Sequence, residues 1–343
     1  MKSLILTLLL VSANAYSIDV KIPKEQCSDV DIRDKMSPEL KAHFSEPQNQ
    51  DGVGWCYAFA AADLMSAETN KPLSSTHVSA IFNKGVDENF FLRTGYKIGK
   101  LFTGGAFDTS YEGGWIDWAI EDSSDAVYVC TEEALPFDRN RYGETARIIN
   151  ALEDIKKDID NEEMTNICSR IEVIRNKSFE NLKVEEIYRI LEEDNLNRAL
   201  SDIIKKNCKG HMVKVDEYDV KTIRRPSIRN RKNESPFSAR RRAKKKVLKN
   251  FEKIDEVLKK GRPLGVSYNV KHVMKQKGLH ASVVTARRWK NGKCQFKIRN
   301  SWGRSCASYD RKEIEECNYE EGSFWVSDQK FIDLADTLDY ISN

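Results

Sequence analysis

Four residues of this sequence could together carry out chemistry on acyl groups. Cys56 begins an apolar, helix-forming run, and Gln50 lies six residues before it. A thiol at a helix N-terminus is stabilised as the nucleophilic thiolate by unpaired backbone N–H groups and by the helix dipole. His280 and Asn300 follow far downstream, each in or next to an apolar, strand-like segment. A cysteine, a histidine that can exchange its proton, an asparagine and an upstream glutamine predict nucleophilic attack on acyl groups.

The elements that must position these residues differ between the two halves of the chain. Apolar residues from 56 to about 66 predict a buried helix that starts at the cysteine. The second half contains short runs typical of strands, at 263–268, 281–287, 295–299 and 323–326, and Asn291-Gly292 predicts a hairpin turn. Helices followed by a strand-rich half predict an α+β fold.

The middle of the chain is more highly charged than the two ends. Between 144 and 206, apolar residues recur at helical spacing on a charged background, which predicts three or four amphipathic helices. Between 221 and 249, thirteen Lys and Arg residues face a single acid, Glu234. The first part of this basic tract also contains proline, asparagine and serine, which predicts an exposed, poorly ordered loop.

The beginning of the chain resembles an export signal. Lys2 precedes a short apolar run, and small residues follow at Ala13 and Ala15. This pattern predicts a secretory signal peptide over residues 1–15 and a secreted or periplasmic protein. The apolar run is too short to cross a bilayer, and no later segment is apolar enough, so we expect no transmembrane segment.

Export permits disulfides, and the sequence has eight cysteines. If Cys56 is a free nucleophile, seven remain, so at least one more must stay unpaired or find an outside partner. Pairing of Cys306 with Cys317 and of Cys168 with Cys208 is plausible from their positions. No pair of cysteines has metal-site spacing with a histidine nearby, and we expect neither a metal nor a cofactor.

The motifs around these residues resemble those of the papain-like cysteine peptidases and occur in that family's order. The matches cover roughly residues 28–138 and 250–328. They are the stretch 50–59 with its Gln and Cys, Gly113-Gly114-Trp115, Leu135-Pro136-Phe137, Leu279-His280-Ala281, Asn300-Ser301-Trp302-Gly303 and the late strand 322–326. The resemblance implies a two-lobed papain-like fold, with a helical lobe carrying the cysteine and a β-rich lobe carrying the histidine and asparagine.

The resemblance also implies a role for each residue. Cys56 would be the nucleophile, paired as a thiolate with imidazolium His280, and Asn300 would orient the imidazole. Gln50 would donate to the oxyanion, and Trp302 would shield the histidine–asparagine contact from water. The substrate backbone and an apolar side chain of the substrate would be bound by a further group: Gly113, Gly114, Trp115 and Leu279.

The sequence departs from the family pattern at several positions. A cysteine usual in the family is Val53 here, and its usual disulfide partner is Tyr111, so both halves of one bridge are replaced together. Trp55 and Tyr57 add bulk beside the nucleophile, which predicts a reshaped cleft. Asp51 would place a charge beside the oxyanion site.

Two larger departures concern control of activity. Only about fifteen residues separate the predicted cleavage site from the start of the mature-like sequence, so we expect no helical pro-segment. The surplus between the cysteine and the histidine predicts an inserted helical subdomain beside the cleft that governs access or docking. The resulting division is 1–15 signal peptide, 16–138 lead-in and helical lobe, 139–249 helical and basic insertion, and 250–343 β-rich lobe.

The expected function is that of a secreted cysteine endopeptidase acting on polypeptide substrates, with a proteinaceous inhibitor as a further candidate partner. One alternative is a catalytically weak protein used as a binding or adhesion module. Another is a peptide ligase that uses the same acyl-enzyme.

The basic tract at 221–249 has three interpretations: a solvated loop, a patch for anionic surfaces, or a processing site at Arg240-Arg241-Arg242. No repeated pattern of aromatic residues between its cations suggests base stacking, which argues against sequence-specific nucleic-acid binding.

Overall fold

The computed structural model describes residues 18, 20–50, 53–89, 113–136, 144–163, 165–226, 234–275 and 278–342. The α-helices of this part are α1 (Pro38–Ser45), α2 (Cys56–Thr69), α3 (Ser75–Glu88), α4 (Ile116–Ala126), α5 (Glu144–Asp160), α6 (Ile167–Ser178), α7 (Val184–Glu193), α8 (Leu196–Asn207), α9 (Pro236–Lys259) and α10 (Asp328–Leu334). The strands are β1 (Val30–Asp31), β2 (Tyr128–Cys130), β3 (Met212–Lys214), β4 (Val220–Arg224), β5 (Leu264–Asn269), β6 (Leu279–Lys290), β7 (Lys293–Arg299), β8 (Glu316–Asn318), β9 (Ser323–Ser327) and β10 (Ala335–Ile341). Short 3-10 helices span Lys24–Gln26, Ile32–Lys35 and Val270–His272.

Helix α2 is the buried centre of the helical lobe. Its sequence is rich in alanine, the strongest helix former, and the run from Tyr57 to Ser66 is buried on every side. The helix ends where Asn70 adopts a left-handed conformation with φ 52°, a common way to terminate a helix. The position of Cys56 is therefore fixed by a rigid, fully packed element.

The β-rich lobe is built on one antiparallel sheet. Its strand order in the described residues is β4-β10-β5-β6-β7-β9-β8, and β1 pairs with β6. The predicted hairpin joins β6 to β7, where Asn291 and Gly292 have φ of 56° and 72°, as a two-residue turn with matching twist requires. The mixed helix and sheet content confirms the predicted α+β class.

The polar lead-in packs with the β-rich lobe, although the sequence grouped it with the helical lobe. Leu40 and Phe44 of α1 share one hydrophobic cluster with strands β5 to β7 and helix α9. A disulfide joins Cys27 to Cys294 on β7. The early chain therefore braces the sheet that carries the histidine and asparagine.

The described residues between 144 and 207 form four helices, α5 to α8, in agreement with the three or four predicted there. Their apolar faces belong to the same hydrophobic cluster as α2 and α3, so they extend the core of the helical lobe. Beyond them, β3 pairs with β2 and β4 pairs with β10. The predicted boundary at 249/250 falls inside α9. The division into domains stays a prediction, and this part of the chain contributes to both lobes.

Two local expectations were wrong. Arg240-Arg241-Arg242 lie within helix α9, where the i→i−4 hydrogen bonds keep the backbone out of the extended form that a protease cleaves, so this is not the loop site that the sequence indicated. Cys208 pairs with Cys130 and not with Cys168, because β2 runs beside β3 at the end of α8. The pairing of Cys306 with Cys317 is confirmed, and Cys56 and Cys168 are free.

Two further expectations concern a signal peptide and membrane-spanning segments. The predicted signal peptide lies outside the described residues. Within the described ranges, no helix has both the length and the apolar character needed to cross a membrane.

Candidate active site

Cys56 lies where the helical lobe meets the sheet. It is the first residue of α2 and is half-buried. The backbone N–H of Ala281, the residue after His280 on β6, donates a hydrogen bond to its thiol. The N–H groups of Cys56 and Tyr57 also point toward the sulfur, as expected for the free donors of a first helical turn. The fold therefore places the thiol against the strand that carries the histidine.

His280 is buried and makes a short hydrogen bond to Asn300. Its Nε2 lies 2.7 Å from the Asn300 Oδ1. The backbone N–H of Ser301 donates to the same oxygen at 2.8 Å, and because a backbone N–H can only donate, this atom must be the amide oxygen. The His280 Nε2 therefore carries a hydrogen. In the neutral imidazole the lone pair is then on Nδ1, which is free to accept a proton from a thiol.

Asn300 is held at both ends of its amide. Its Oδ1 also accepts from the Ser282 hydroxyl at 3.2 Å, and its Nδ2 donates to the Tyr309 hydroxyl at 2.6 Å. Ser282 in turn contacts the Tyr268 hydroxyl at 3.0 Å. With 1% of its surface exposed, Asn300 cannot exchange these partners for water. The asparagine is thus locked in one orientation.

The Trp302 ring lies against the imidazole of His280. Its ring centroid lies 4.2 Å from that of His280, with the two planes inclined by 30°. An aromatic ring at this distance keeps water from that side of the imidazole, and a hydrogen bond is stronger in a low-dielectric environment.

Gln50 is hydrogen-bonded to Ser301, the residue after Asn300. Its backbone N–H donates to the Ser301 carbonyl at 2.7 Å, and the Ser301 hydroxyl donates to its Oε1 at 2.6 Å. Its Nε2 donates to the Val53 carbonyl at 2.9 Å. An amide nitrogen carries two hydrogens, so this contact uses one of them and the other remains for a ligand. The side chain is therefore oriented before any substrate binds.

Gly113 and Gly114, which are expected to bind the substrate backbone, contact residues close to Cys56 in the sequence. The Gly113 N–H donates to the Gly54 carbonyl at 2.8 Å, and its φ of 83° suits glycine. A Cβ on Gly114 would approach the rings of Phe82 and Tyr57 to 3.0 Å or less, so a larger residue would not fit. Trp115 is 50% exposed and Leu279, the residue before His280, is 83% exposed, so both of these large apolar side chains face solvent.

The environments of Cys56 and His280 favour the neutral thiol and the neutral imidazole. Burial raises the pKa of the Cys56 thiol, although the hydrogen bonds from Ala281 and from the helix N-terminus oppose this shift. Burial also lowers the pKa of His280 to about 4, and the hydrogen bond with Asn300 opposes it. Each group alone therefore disfavours its charge. A thiolate–imidazolium pair would require their mutual attraction to exceed both desolvation costs.

The bulky neighbours of the cysteine do not line the cleft. Trp55 and Tyr57 are both fully buried in the core of the helical lobe, so the expected reshaping of the cleft by these side chains is wrong. Val53 is also buried in that core. Asp51 and Tyr111 lie outside the described residues.

Sequence reasoning missed Ser282 and Tyr309. Ser282 could have been found, because residues two apart on a strand share a face and His280 was expected on one. Tyr309 is in the segment closed by the Cys306–Cys317 disulfide, nine residues after Asn300, and no local pattern points to it.

A buried ion pair joins the two lobes just behind the site. Asp63 on α2 pairs with Arg299, the residue before Asn300, and both side chains are almost completely inaccessible. Asp63 also contacts the His43 Nε2 and the Gln48 Nε2, each at 3.0 Å, while Arg299 donates to the His43 carbonyl at 2.7 Å. The helix that begins at Cys56 and the strand that ends before Asn300 are thereby fixed to each other.

Comparison with known proteins gives structural similarity only. No family model and no curated protein matches the sequence. The chain is similar to the structure of digestive procathepsin L 3 of Tenebrio molitor larval midgut, with 12% identity, a TM-score of 0.43, and 95% of this chain and 75% of that chain covered. It is also similar to SERA5E from Plasmodium falciparum, at 10% identity and a TM-score of 0.44 over 90% of this chain and 93% of that one. A third similar structure is procathepsin B S9 from Trypanosoma congolense, at 10% identity and a TM-score of 0.41 over 95% and 82%. Function must therefore be argued from the geometry of the site.

Proposed function

We propose that this protein is a cysteine endopeptidase that hydrolyses polypeptides through an acyl-enzyme on Cys56. One observation carries the proposal. The Asn300 Oδ1 accepts the hydrogen on the His280 Nε2, which leaves the Nδ1 lone pair for the cysteine that the fold places beside the same strand. A buried histidine with a purely structural role has no need of an asparagine that is itself fixed by three further hydrogen bonds.

The proposed reaction has two steps, in which Cys56 is the nucleophile and His280 transfers the protons. As the Cys56 sulfur attacks the peptide carbonyl carbon, its proton passes to the His280 Nδ1, and the carbonyl oxygen becomes an oxyanion. The imidazolium then protonates the leaving nitrogen and the C–N bond breaks, which leaves a thioester. Water attacks the thioester carbon and gives its proton to the His280 Nδ1. The carboxylic acid is released and the thiolate recovers its proton from the imidazolium.

The oxyanion would be bound by two donors. One is the remaining N–H of the Gln50 amide, and the other is the backbone N–H of Cys56 at the start of α2. Because Ser301 and Val53 already fix the Gln50 amide, little reorganisation is needed when negative charge develops. The exposed Trp115 and Leu279 would contact apolar substrate side chains.

Export of the protein is part of the proposal. The three disulfides, Cys27–Cys294, Cys130–Cys208 and Cys306–Cys317, support an oxidising compartment outside the cytoplasm. Substrates would then be extracellular or periplasmic polypeptides.

Product analysis separates hydrolysis from its alternatives. Purified protein is incubated with an unfolded protein substrate in heavy-oxygen water, with a mild thiol present to keep Cys56 reduced. We expect fragments whose new carboxyl ends contain heavy oxygen. Joined peptides without it would indicate a ligase. Substrate that is retained but uncut would indicate a binding module, and either result would overturn the proposal.

The pH dependence of the reaction follows from His280. The imidazole must be neutral to accept the thiol proton, and its pKa is lowered to about 4. We therefore expect kcat/KM to fall on the acid side with a midpoint near pH 4 and to stay level between about pH 5 and 7. Stopped-time assays across this range with the unfolded substrate would measure it. An acid midpoint near 6.5, the ordinary value for histidine, would show that the imidazole titrates in contact with water.

Tyr309 is expected to act as a positioning residue. The change Tyr309→Phe removes the acceptor of the Asn300 Nδ2 and leaves a buried donor unpaired, so the amide can rotate away from His280. We expect kcat to fall about tenfold with KM unchanged, since the buried Tyr309 does not reach the substrate. Tyr319→Phe, at a 53% exposed tyrosine just beyond the same disulfide loop, is the matched control and should leave both constants unchanged. Equal kinetics for Tyr309→Phe and the wild type would contradict this role.

A further inference from the structure

Helix α9 has two halves with different electrostatic character. One face is buried, at Ala239, Ala243, Val247, Phe251 and Ile254. The last three of these share a hydrophobic cluster with the sheet. In the first half the opposite face presents exposed cations: Arg240, Arg241, Lys244, Lys245, Lys246 and Lys249. We call these six residues the cationic face.

The second half of the same helix neutralises its charges internally. Lys253 and Lys260 both pair with Glu256, and Lys259 pairs with Asp255. By contrast, the sequence from 236 to 251 contains no acidic residue at all. Arg242, on the flank of the cationic face, pairs with Glu234 before the helix begins. The helix can accommodate paired charges, but Arg241 and the three lysines at 244–246 have no acidic residue within four positions of them along the helix.

This arrangement is unfavourable for the isolated protein. Like charges four residues apart, such as Arg240 and Lys244 or Arg241 and Lys245, repel each other on a helix surface. Cations in the first turns also oppose the helix dipole, whose N-terminal end is positive. A negatively charged surface placed against this face would relieve both effects. Packing on the sheet keeps the helix formed without it.

An exposed aromatic residue adjoins the cationic face. Phe237 is 77% exposed in the first turn of α9, three and four residues before Arg240 and Arg241, and thus on the same side. On the neighbouring strand, the exposed Arg224 lines a small cavity together with Val247 and Asn250 of α9, which extends the positive surface beyond the helix.

From these observations we propose that the cationic face with Phe237 docks on an anionic phospholipid surface. Phosphate and carboxylate headgroups would bind the lysines and arginines, and the phenyl ring would enter the boundary between headgroups and acyl chains. Nucleic acid would satisfy the charges, but contacts with its phosphates would leave an exposed apolar ring without a partner. The inference stands independently of the proposed peptidase activity.

Vesicle binding by the full chain tests this proposal. The vesicles are phosphatidylcholine with roughly 30% phosphatidylserine, compared with phosphatidylcholine alone. We expect binding only to the anionic vesicles, and we expect added salt to weaken it. The triple variant Lys244→Gln, Lys245→Gln, Lys246→Gln should bind about 100-fold more weakly, since each surface cation contributes severalfold. Glutamine resembles lysine in helix propensity and the sites are exposed, so the fold is retained.

The matched control makes the same changes on the other lobe. Lys205, Lys206 and Lys209 are three exposed lysines at the end of α8, and their replacement by glutamine should leave vesicle binding within about twofold of wild type. Equal losses in both triple variants would show a general charge effect and overturn the proposal.

A final variant distinguishes lipid from nucleic acid. Phe237→Ser should weaken vesicle binding by about tenfold, because the variant lacks the ring that would move from water into the membrane. Its salt-dependent retention on duplex DNA should be unaffected. Failure to bind the anionic vesicles, or vesicle binding that Phe237→Ser leaves unchanged, would contradict docking on a lipid surface. Tight retention on DNA without vesicle binding would assign the face to nucleic acid instead.

Discussion

Replacing Cys56 with alanine is expected to lower kcat/KM for an unfolded protein substrate by about 10⁴-fold or more, because the acyl-enzyme can no longer form. The change removes one sulfur atom from a half-buried position, so the fold should be preserved. Residual binding of the substrate to the exposed Trp115 and Leu279 should persist. The loss should therefore appear in the rate of single turnover and leave affinity nearly unchanged.

The chain contains its own matched control for this experiment. Cys168 is the other free thiol in the described residues, and it is exposed at the start of α6, in the four-helix region. Cys168→Ala should retain full activity. If Cys56→Ala cleaved substrate at a rate within tenfold of wild type, the nucleophile would have to be another group.

Replacing Arg299 with methionine is expected to lower the free energy of unfolding by about 3–5 kcal/mol, because Asp63 is left charged and buried without its partner. Burial alone would raise the pKa of Asp63, but attraction to Arg299 and the hydrogen bond with His43 hold the pKa below its usual value of 3.8. A carboxyl group with a lowered pKa stabilises the fold above its unfolded pKa and loses that contribution as the pH falls further. The wild-type advantage should accordingly disappear on acidification below about pH 4.

Denaturant unfolding at neutral pH measures the destabilisation by Arg299→Met, and two further variants serve as comparisons. Arg198→Met breaks an exposed pair with Glu88 at 3.4 Å and should cost about 0.5 kcal/mol or less. The double variant Asp63→Leu, Arg299→Met removes both buried charges and should be more stable than Arg299→Met alone. If Arg299→Met lowered the free energy of unfolding by less than about 1 kcal/mol, water or another cation would have to replace the guanidinium beside Asp63.

The elements that position the site were predictable where the sequence contains a strong local pattern. The apolar run after Cys56 can only be a buried helix, and Asn291-Gly292 specifies a two-residue hairpin turn, so the helix start and the hairpin of the β-rich lobe follow directly. The contact between His280 and Asn300 joins β6 to the residue that follows β7, on the other side of that hairpin. It was inferred from resemblance to a family, since spacing alone does not give it.

Features that depend on contacts between distant segments were not predictable in the same way. The partner of Cys208 is set by the pairing of β2 with β3, which no sequence pattern indicated. The arginine triplet was assigned to a loop because its local composition is polar. In the structure, Ala239, Ala243 and Val247 bury a face at helical spacing, and tertiary packing overrides the charge repulsion. Tyr309 reaches Asn300 across a disulfide-closed loop, a purely tertiary contact.

The central claim is that His280 activates the Cys56 thiol by accepting its proton, and labelling tests this most directly. The native protein is treated with an irreversible thiol-directed epoxide and the adduct is mapped by peptide mass spectrometry. Exposure alone would favour Cys168, the more accessible of the two free thiols. We predict one adduct per chain at Cys56, lost in His280→Ala and after denaturation, with Cys168 unmodified. Labelling at Cys168 with Cys56 left intact would contradict the account.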